Sequence, residues 1–331
     1  MQVFSLINDL IEKESSSKKE GLDIYTYAIE PLSMNCGLFG WAENSETIYN
    51  LILEYRALKG APIGQEQSNT FAFAPDYERL YELQKIEAFL IGTSFENKPT
   101  EQNSNHNIKK IKFVSQENPS DDLKRLLWIN SSSPEFWYIG RLVWMRSLAV
   151  MSMVGHVLGI GDRHPSNMLI HRPSNHVIHI DFGDCFEVAM RRETYPEKMP
   201  FRLTKMMVRS MEAVASVEGA FKASCNDTMT LLRENRRSIL SLLETFLYDP
   251  LVEWELGMKN QEKDSLGDNQ IQDDCSPMAV FIIDRINSKL KGNDFEPNTF
   301  MEVNQQVVKL ISQATRERNL CTSYLGWCPF W

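Results

Sequence analysis

Apolar residues recur at helical spacing from the first turns of the chain. Val3, Phe4, Ile7, Leu10 and Ile11 share one face of residues 2–14, and the pattern stops at Ser15-Ser16-Ser17-Lys18-Lys19-Glu20-Gly21. Ile24 to Ile29 then reads as a strand closed by Pro31, and Cys36 to Trp41 as a second short strand leaving a turn. Ser45 is placed to cap an amphipathic helix over 46–58, and a further helix is expected over 76–91, behind Pro75. Residues 92–120 are polar and asparagine-rich, the mark of a linker or surface insertion. Helical periodicity dominates 121–160, 203–217 and 226–247. A second polar stretch, 257–275, precedes helices near 277–290 and 300–318, and the chain ends in a dense aromatic run. Mixed elements first and helices afterwards predict an α+β molecule, with a small mixed lobe followed by a larger, mostly helical one.

One apolar run, Leu142 to Ile160, is 19 residues long, near the length that spans a bilayer. Arg146 and His156 fall inside it, and a charge near the middle of a spanning helix is costly, so a buried helix is expected. At 331 residues, with 43% hydrophobic and 24% charged, the chain can bury a substantial core. A net charge of −9 argues against a general nucleic-acid binder. Six cysteines, none in a Cys-x-x-Cys pair, suggest neither a zinc site nor a disulfide scaffold. Residues 1–14 lack the basic start and cleavage site of a secretory leader, which predicts a cytoplasmic protein.

The candidate chemistry lies in Gly159-Ile-Gly-Asp-Arg-His-Pro-Ser-Asn-Met168 and the residues that follow. Two short apolar runs, ending at His171 and beginning at Val177, flank Arg172-Pro-Ser-Asn-His176, the make-up of a β-hairpin with a five-residue loop. Antiparallel pairing is expected to set Asn167 opposite Asp181, about 5 Å apart, with Asp162 on the loop entering the first strand. Two oxygen ligands and a further carboxylate then converge, which suits a hard cation such as Mg²⁺. A kinase catalytic loop has the same interval, an Asp base followed by four residues and a metal-binding Asn, with a second metal-binding Asp in Asp-Phe-Gly. Asp162, Asn167 and Asp181-Phe182-Gly183 match it. The plainer alternative is an acidic turn capping a hairpin.

The order Asp162-Arg163-His164 reverses the His-Arg-Asp of ordinary protein kinases and resembles the phosphoinositide-3-kinase-related superfamily. The resemblance runs along nearly the whole chain and is to TOR-type serine/threonine kinases. Residues 181–204 resemble the TOR activation loop, and residues 136–155 and 245–254 the helices around it. Asn319 to Trp331 is similar to the terminal FATC segment, which the lipid kinases of the superfamily lack.

This resemblance implies a bilobal protein-kinase-like (PI3/PI4-kinase) catalytic fold that uses ATP with Mg²⁺, or Mn²⁺ in its place. Asp162 becomes the catalytic base, with Asn167 and Asp181 as metal ligands. His164 stabilises charge on the transferring group, its plainer role being to brace the loop. His171 and His179 are expected to be structural. Trp41 follows the interlobe hinge and would stack on adenine, with Tyr27, Leu169 and Ile180 lining the pocket. The implied division is a partial small lobe and hinge (1–55), a helical element that carries a WD40-propeller subunit (56–95), a polar linker (96–120), the large lobe (121–256), a polar insertion (257–275), a large-lobe helix (276–298) and FATC (299–331). Protein substrates with Ser/Thr acceptors, the propeller subunit and scaffold subunits are the implied partners.

The resemblance has one departure. The glycine-rich loop and strand lysine of such kinases have no counterpart before the hinge, so the chain is expected to be a C-terminal portion with an incomplete small lobe. A lipid kinase and a non-catalytic binding module are the competing readings; against the first, Glu187, Glu193 and Glu197 offset Arg191, Arg192 and Lys198 in the activation loop. The aromatic tail is expected to dock on the large lobe, with peripheral contact on endomembranes as the alternative.

Overall fold

The computed structural model describes residues 1–14, 21–33, 36–60, 120–192, 195–211, 217–247, 277–295, 299–316, 319–320, 323–329 and 331. The helix expected over 76–91, the polar stretches 92–119 and 257–275, and most of the 56–95 element lie outside these residues.

Helix α1 (Gln2–Lys13) buries Phe4, Ile7 and Ile11, the face its periodicity predicts. The Asn8 side chain brackets Ile24, donating to its carbonyl at 2.8 Å and accepting from its amide at 2.9 Å. A side chain thus takes hydrogen bonds that a sheet would otherwise supply. For that reason residues 24–28 run alongside α1, and the first strand starts later than expected, as β1 (Ile29–Ser33). β1 pairs antiparallel with β2 (Cys36–Phe39). Pro31 lies within β1 instead of ending it, which an edge strand with one partner and a register shift at Pro31/Ser33 permits.

Ser45 is not a helix cap. It opens β3 (Ser45–Thr47), and Thr47 caps α2 (Ile48–Lys59) by accepting from the Asn50 amide at 3.1 Å. β3 pairs with β4 (Met168–His171), which pairs with β5 (Val177–His179), so the β4–β5 hairpin gains a third strand from early in the chain.

The helical region begins with α3 (Asp122–Ile129) and α4 (Pro134–Leu158), separated where Ser133 caps and Pro134 opens the second. α4 is buried almost without a break from Val143 to Leu158, with Trp144 and Met153 fully enclosed. This is the 19-residue apolar run in its expected place, and among the described residues no helix is long and apolar enough to cross a membrane. Around α4 lie α5 (Lys205–Met211), α6 (Ala220–Glu234), α7 (Arg236–Leu247), α8 (Pro277–Lys291) and α9 (Val303–Thr315). The Trp144 indole donates to Ser210 Oγ at 3.0 Å, joining α4 to α5. A buried Arg56–Asp122 pair at 2.8 Å joins α2 to α3.

The tail docks. Arg202 reaches the carbonyls of Trp327 and Cys328 at 2.8 and 3.0 Å. Trp331, 3% exposed, stacks on Tyr49 at 5.6 Å beneath the Arg56 guanidinium at 5.1 Å. The Cys328 thiol is buried, and its sulfur donates to the Gly326 carbonyl at 3.7 Å. Deleting Tyr324 to Trp331 is expected to destabilise the protein by at least about 3 kcal/mol, the usual cost of losing one buried tryptophan side chain. Denaturant unfolding checks this, and liposome co-sedimentation should be unchanged if burial is the tail's role.

A second brace runs from α8 to the segment after Phe182. Lys289 Nζ reaches Glu187 Oε1 at 2.6 Å and the His156 carbonyl at 2.7 Å, while Arg285 Nε lies 3.1 Å from both Glu187 oxygens. His156 pairs with Asp294 at 3.1 Å, and Gln306 of α9 donates to Asp294 and to the Lys289 carbonyl. Burial pushes the Glu187 carboxyl up, but Lys289 and Arg285 outweigh it and hold the group at about 2. Depression of this kind gives stability that is present above the ordinary value of 4.5 and lost as pH falls through about 2. Glu187→Gln should therefore be less stable than wild type near neutral pH, with the gap closing in strong acid. Unfolding curves measured across that range test it, and a pH-independent gap would exclude the ion pair as its cause.

Candidate active site

Gly159 ends α4 in the left-handed region, φ +62, and turns the chain into the loop that precedes β4. Four non-glycine residues in the loops packed here share that backbone region, Asp162 at φ +59, Asp181 at φ +57, Phe186 at φ +59 and Glu187 at φ +64. Each costs on the order of 1–2 kcal/mol that the surroundings must offset. The offset is a dense lacing of loop against loop. Gly161 N–H donates to the Asp184 carbonyl at 2.7 Å, Phe186 N–H to Leu158 at 2.9 Å, and Glu187 N–H to Gly159 at 2.9 Å.

Arg163, 5% exposed, sits at the centre. Its Nε donates to the Gly161 carbonyl at 2.7 Å, and Nη1 to Ile180 at 2.7 Å and, more weakly, to Asn167 at 3.5 Å. Nη2 donates to the Asp181 carbonyl, and the guanidinium lies 5.6 Å from the Phe182 ring centroid. The edge of that ring packs in turn with Phe4 of α1 at 5.4 Å. Burial lowers the affinity of Arg163 for its proton, and the carboxylates of Asp162, Asp181 and Glu197 oppose this, so it remains a cation.

The hairpin register differs by one residue from expectation. Met168 pairs with His179, and Ile180 N–H donates to the Asn167 carbonyl at 3.2 Å, so Asn167 stands opposite Ile180 rather than Asp181. The positive φ at Asp181 has by then ended strand alternation, and Arg163 ties the Asp181 backbone to the loop. Asn167 Nδ2 donates to the Asp162 carbonyl at 3.1 Å, leaving its amide oxygen unengaged among the described residues. Asp181 is exposed and accepts only the Gly183 amide, at 3.2 Å. No three His, Cys, Asp or Glu side chains group as a ligand set among the described residues. One amide oxygen and one carboxylate fit a hard cation that completes its shell with phosphate and water, as Mg²⁺ does.

Asp162 is half-buried, and its carboxylate accepts no hydrogen bond among the described residues. Its backbone amide donates to Glu197 Oε1 at 2.6 Å. Burial raises the Glu197 carboxyl; the Asp162 amide and the cations of Arg192 and Arg163 pull it down, while the Asp162 carboxylate adds to the rise. His164 accepts the Ser166 amide on Nδ1 at 3.2 Å. Burial lowers its pKa, Arg163 and Arg202 lower it further, and Asp162 and Asp181 oppose them. The ring is therefore neutral with its proton on Nε2.

Of the expected adenine-pocket residues, Leu169 is buried on β4 and Ile180 is half-buried just beyond β5. The Tyr27 hydroxyl donates to the His179 carbonyl at 3.3 Å, and burial raises its pKa. Trp41 is 75% exposed, and no ring contact reaches it among the described residues. His171 Nδ1 meets Ser174 Oγ at 2.6 Å inside the hairpin. His179 is buried with both ring nitrogens unpartnered among the described residues, and burial and Arg163 keep it neutral.

Arg163, Glu197 and Arg202 were not singled out from the sequence, and neither was Trp327, whose ring centroid lies 6.3 Å from that of His164. Arg163 lies inside the motif itself, which was the available signal. Arg163→Ala should lower stability by about 3 kcal/mol by orphaning buried carbonyls, and Arg163→Lys should recover less than half, since an ammonium lacks the planar fork. Denaturant unfolding of the two variants measures both effects.

The family model described as "Phosphatidylinositol 3- and 4-kinase" matches residues 1–256, and the FATC domain model matches residues 300–331. The whole chain is 38% identical over 374 residues to the serine/threonine-protein kinase mTor of Drosophila melanogaster and 39% over 358 residues to TOR2 of Saccharomyces cerevisiae. It is 30% identical to the serine/threonine-protein kinase ATM of Drosophila melanogaster, with 99% of the chain covered. The chain spans 14% of the length of each of the first two and 11% of the third. Among solved structures, the FAT and kinase domain of CtTel1 superposes over the full chain with a TM-score of 0.70 at 26% identity, covering 20% of that chain. The open conformation of CtTel1 does so with 0.72 at 26% identity, covering 11%.

Proposed function

The chain belongs to the phosphatidylinositol 3- and 4-kinase family, and on that premise we propose that it carries the phosphotransfer machinery of a TOR-type serine/threonine protein kinase. The observation that carries the reading is the Arg163 guanidinium holding the Asp162–Asn167 loop and Asp181 in one unit. The substrates are ATP and a protein with a Ser or Thr acceptor, and the products are a phosphoprotein and ADP, which leaves with the bridging oxygen as the γ-phosphoryl group passes to the acceptor.

The Asp162 carboxylate takes up the proton of the acceptor hydroxyl as that oxygen attacks the γ-phosphorus. Neutral His164 donates from Nε2 to the oxygens of the transferring group, where negative charge is concentrated. The Asn167 amide oxygen and the Asp181 carboxylate hold the divalent ion. When bound, Mg²⁺, or Mn²⁺ in its place, supplies charge neutralisation on the phosphates. Tyr27, Leu169 and Ile180 line the adenine site, and the exposed indole of Trp41 presents a face on which a purine can stack.

Residues 1–55 serve as small lobe and hinge, 121–256 as large lobe, 276–298 as a supporting helix and 299–331 as FATC. Residues 56–95 carry a WD40-propeller subunit, and scaffold subunits of a TOR complex supply substrate choice. The seat is cytoplasmic, peripheral on endomembranes.

In the full-length protein, Asp162→Asn and Asp181→Ala should each cut phosphotransfer to a protein acceptor by about 10²- to 10⁴-fold with an unchanged melting temperature. Comparable turnover in either variant would overturn the reading. Transfer to an inositol lipid in preference to protein serine would move it to the lipid kinases.

A further inference from the structure

We propose that Glu197 is the positioning residue of the catalytic base: its carboxylate fixes the Asp162 backbone, so the base is set only when the activation segment lies folded on the catalytic loop. The proposal rests on the phosphotransfer reading and adds to it a residue 35 positions away in sequence from the one it serves.

Asp162 is held on both of its peptide groups, and by different parts of the chain. Its carbonyl accepts from Asn167 Nδ2 at 3.1 Å, so the metal-ligand side chain fixes one side. Its N–H, turned out of the loop by the left-handed φ of +59, donates to Glu197 Oε1 at 2.6 Å. The nearby carbonyls that could accept in its place are already engaged: that of Gly161 accepts from Arg163 Nε, and that of Asp184 from the Gly161 N–H. Without Glu197, the Asp162 N–H loses its only hydrogen bond among those described, at a residue whose backbone conformation L-residues rarely adopt.

The approach of Glu197 is itself built in. Gly161 lacks a Cβ where one would lie 3.2 Å from Glu197 Oε1 and collide with the Ala189 methyl. The 3₁₀ turn Val188–Arg191 brings Ala189 to that spot, and Glu197 N–H donates to the Ala189 carbonyl at 3.1 Å. The carboxylate therefore arrives only when the Val188–Arg191 turn and Glu197 are both packed against Gly161. Arg192, paired with Asp184 across the same segment, and Arg163 face Glu197 as cations, while the Asp162 carboxylate faces it as an anion. Like charge alone would push Glu197 off the base; the hydrogen bond from the Asp162 amide and the two cations hold it there.

The test is made on the full-length protein with Glu197→Ala, Glu197→Gln and, as the reference for the underlying reading, Asp162→Asn. Glu197→Ala should lower kcat about 100-fold, the scale of a small misplacement of a reacting group, with KM for Mg²⁺–ATP within about 2-fold of wild type. Glu197→Gln retains a carbonyl acceptor and should return kcat to within about 5-fold of wild type, since the bond and not the charge sets the backbone. Hydrogen exchange at the Gly161–Asp162 amides should rise in the alanine variant and stay near wild type in the glutamine variant. Unchanged kcat in Glu197→Ala would overturn the proposal, as would a glutamine variant as slow as alanine, or a loss matched by a fall in folded fraction. If Asp162→Asn is inactive, any of these results counts against Glu197 alone. If Asp162→Asn turns over normally, both the positioning role and the phosphotransfer reading fall.

Discussion

The carbonyl oxygens of Gly161, Asn167, Ile180 and Asp181 converge on one buried guanidinium, and the layout of the site follows from that convergence. These carbonyls stand at the mouth of the β4–β5 hairpin, where the ladder has ended and the backbone at Asp162 and Asp181 has turned left-handed. Left bare in a buried site, each would cost about 1–3 kcal/mol. Only arginine offers five donors in a planar fork that can serve both sides of a hairpin mouth together. By answering that demand, Arg163 sets the spacing between Asp162 on one segment and Asp181 on the other. His164, on the same loop as Asp162, and Tyr27, on a further segment, both lie within the electrostatic reach of Arg163 and Asp181.

Around this clamp the helices behave as a set of braces converging on the ends of α4. The helix is buried over most of its length, so its C-terminus at Leu158 cannot shift without disturbing the core. From that end Lys289, His156 and Asp294 link α8 and α9 to Glu187, five residues beyond Phe182. C-terminal helices that look peripheral in sequence are therefore mechanically continuous with the chain just beyond Phe182. Phe4 adds a contact from the opposite side, setting α1 against Phe182.

The legible parts of the molecule were those with a period or an interval. The α1 face, the buried α4 run and the hairpin all followed from spacing, as did the assignment of a mostly helical second half. The motif Asp162-Arg163-His164 to Asn167 with Asp181 was visible because five residues of fixed separation are improbable together. Less legible was whatever a distant partner decided. Residues 24–28 have strand composition, yet Asn8 takes both backbone hydrogen bonds of Ile24, where that run begins. Ser45 has cap chemistry, yet β4 draws it into a sheet. The hairpin register slipped by one because the strand period says nothing of where a positive φ will end it. Glu197 read as one acidic residue among several offsetting nearby arginines, since no local pattern marks a side chain whose partner is a backbone amide.

Arg202 grips the C-terminal segment entirely through main-chain oxygens, those of Trp327 and Cys328. A latch that reads only peptide carbonyls is indifferent to which side chains it passes and strict about where along the chain they fall. Across diverging relatives, such a contact tolerates drift in residue type at these two positions. It does not tolerate a single inserted or deleted residue between the end of α9 and Cys328, which would present the wrong carbonyls and carry Trp331 away from Tyr49. The length of this segment, more than its spelling, is what the fold places under selection.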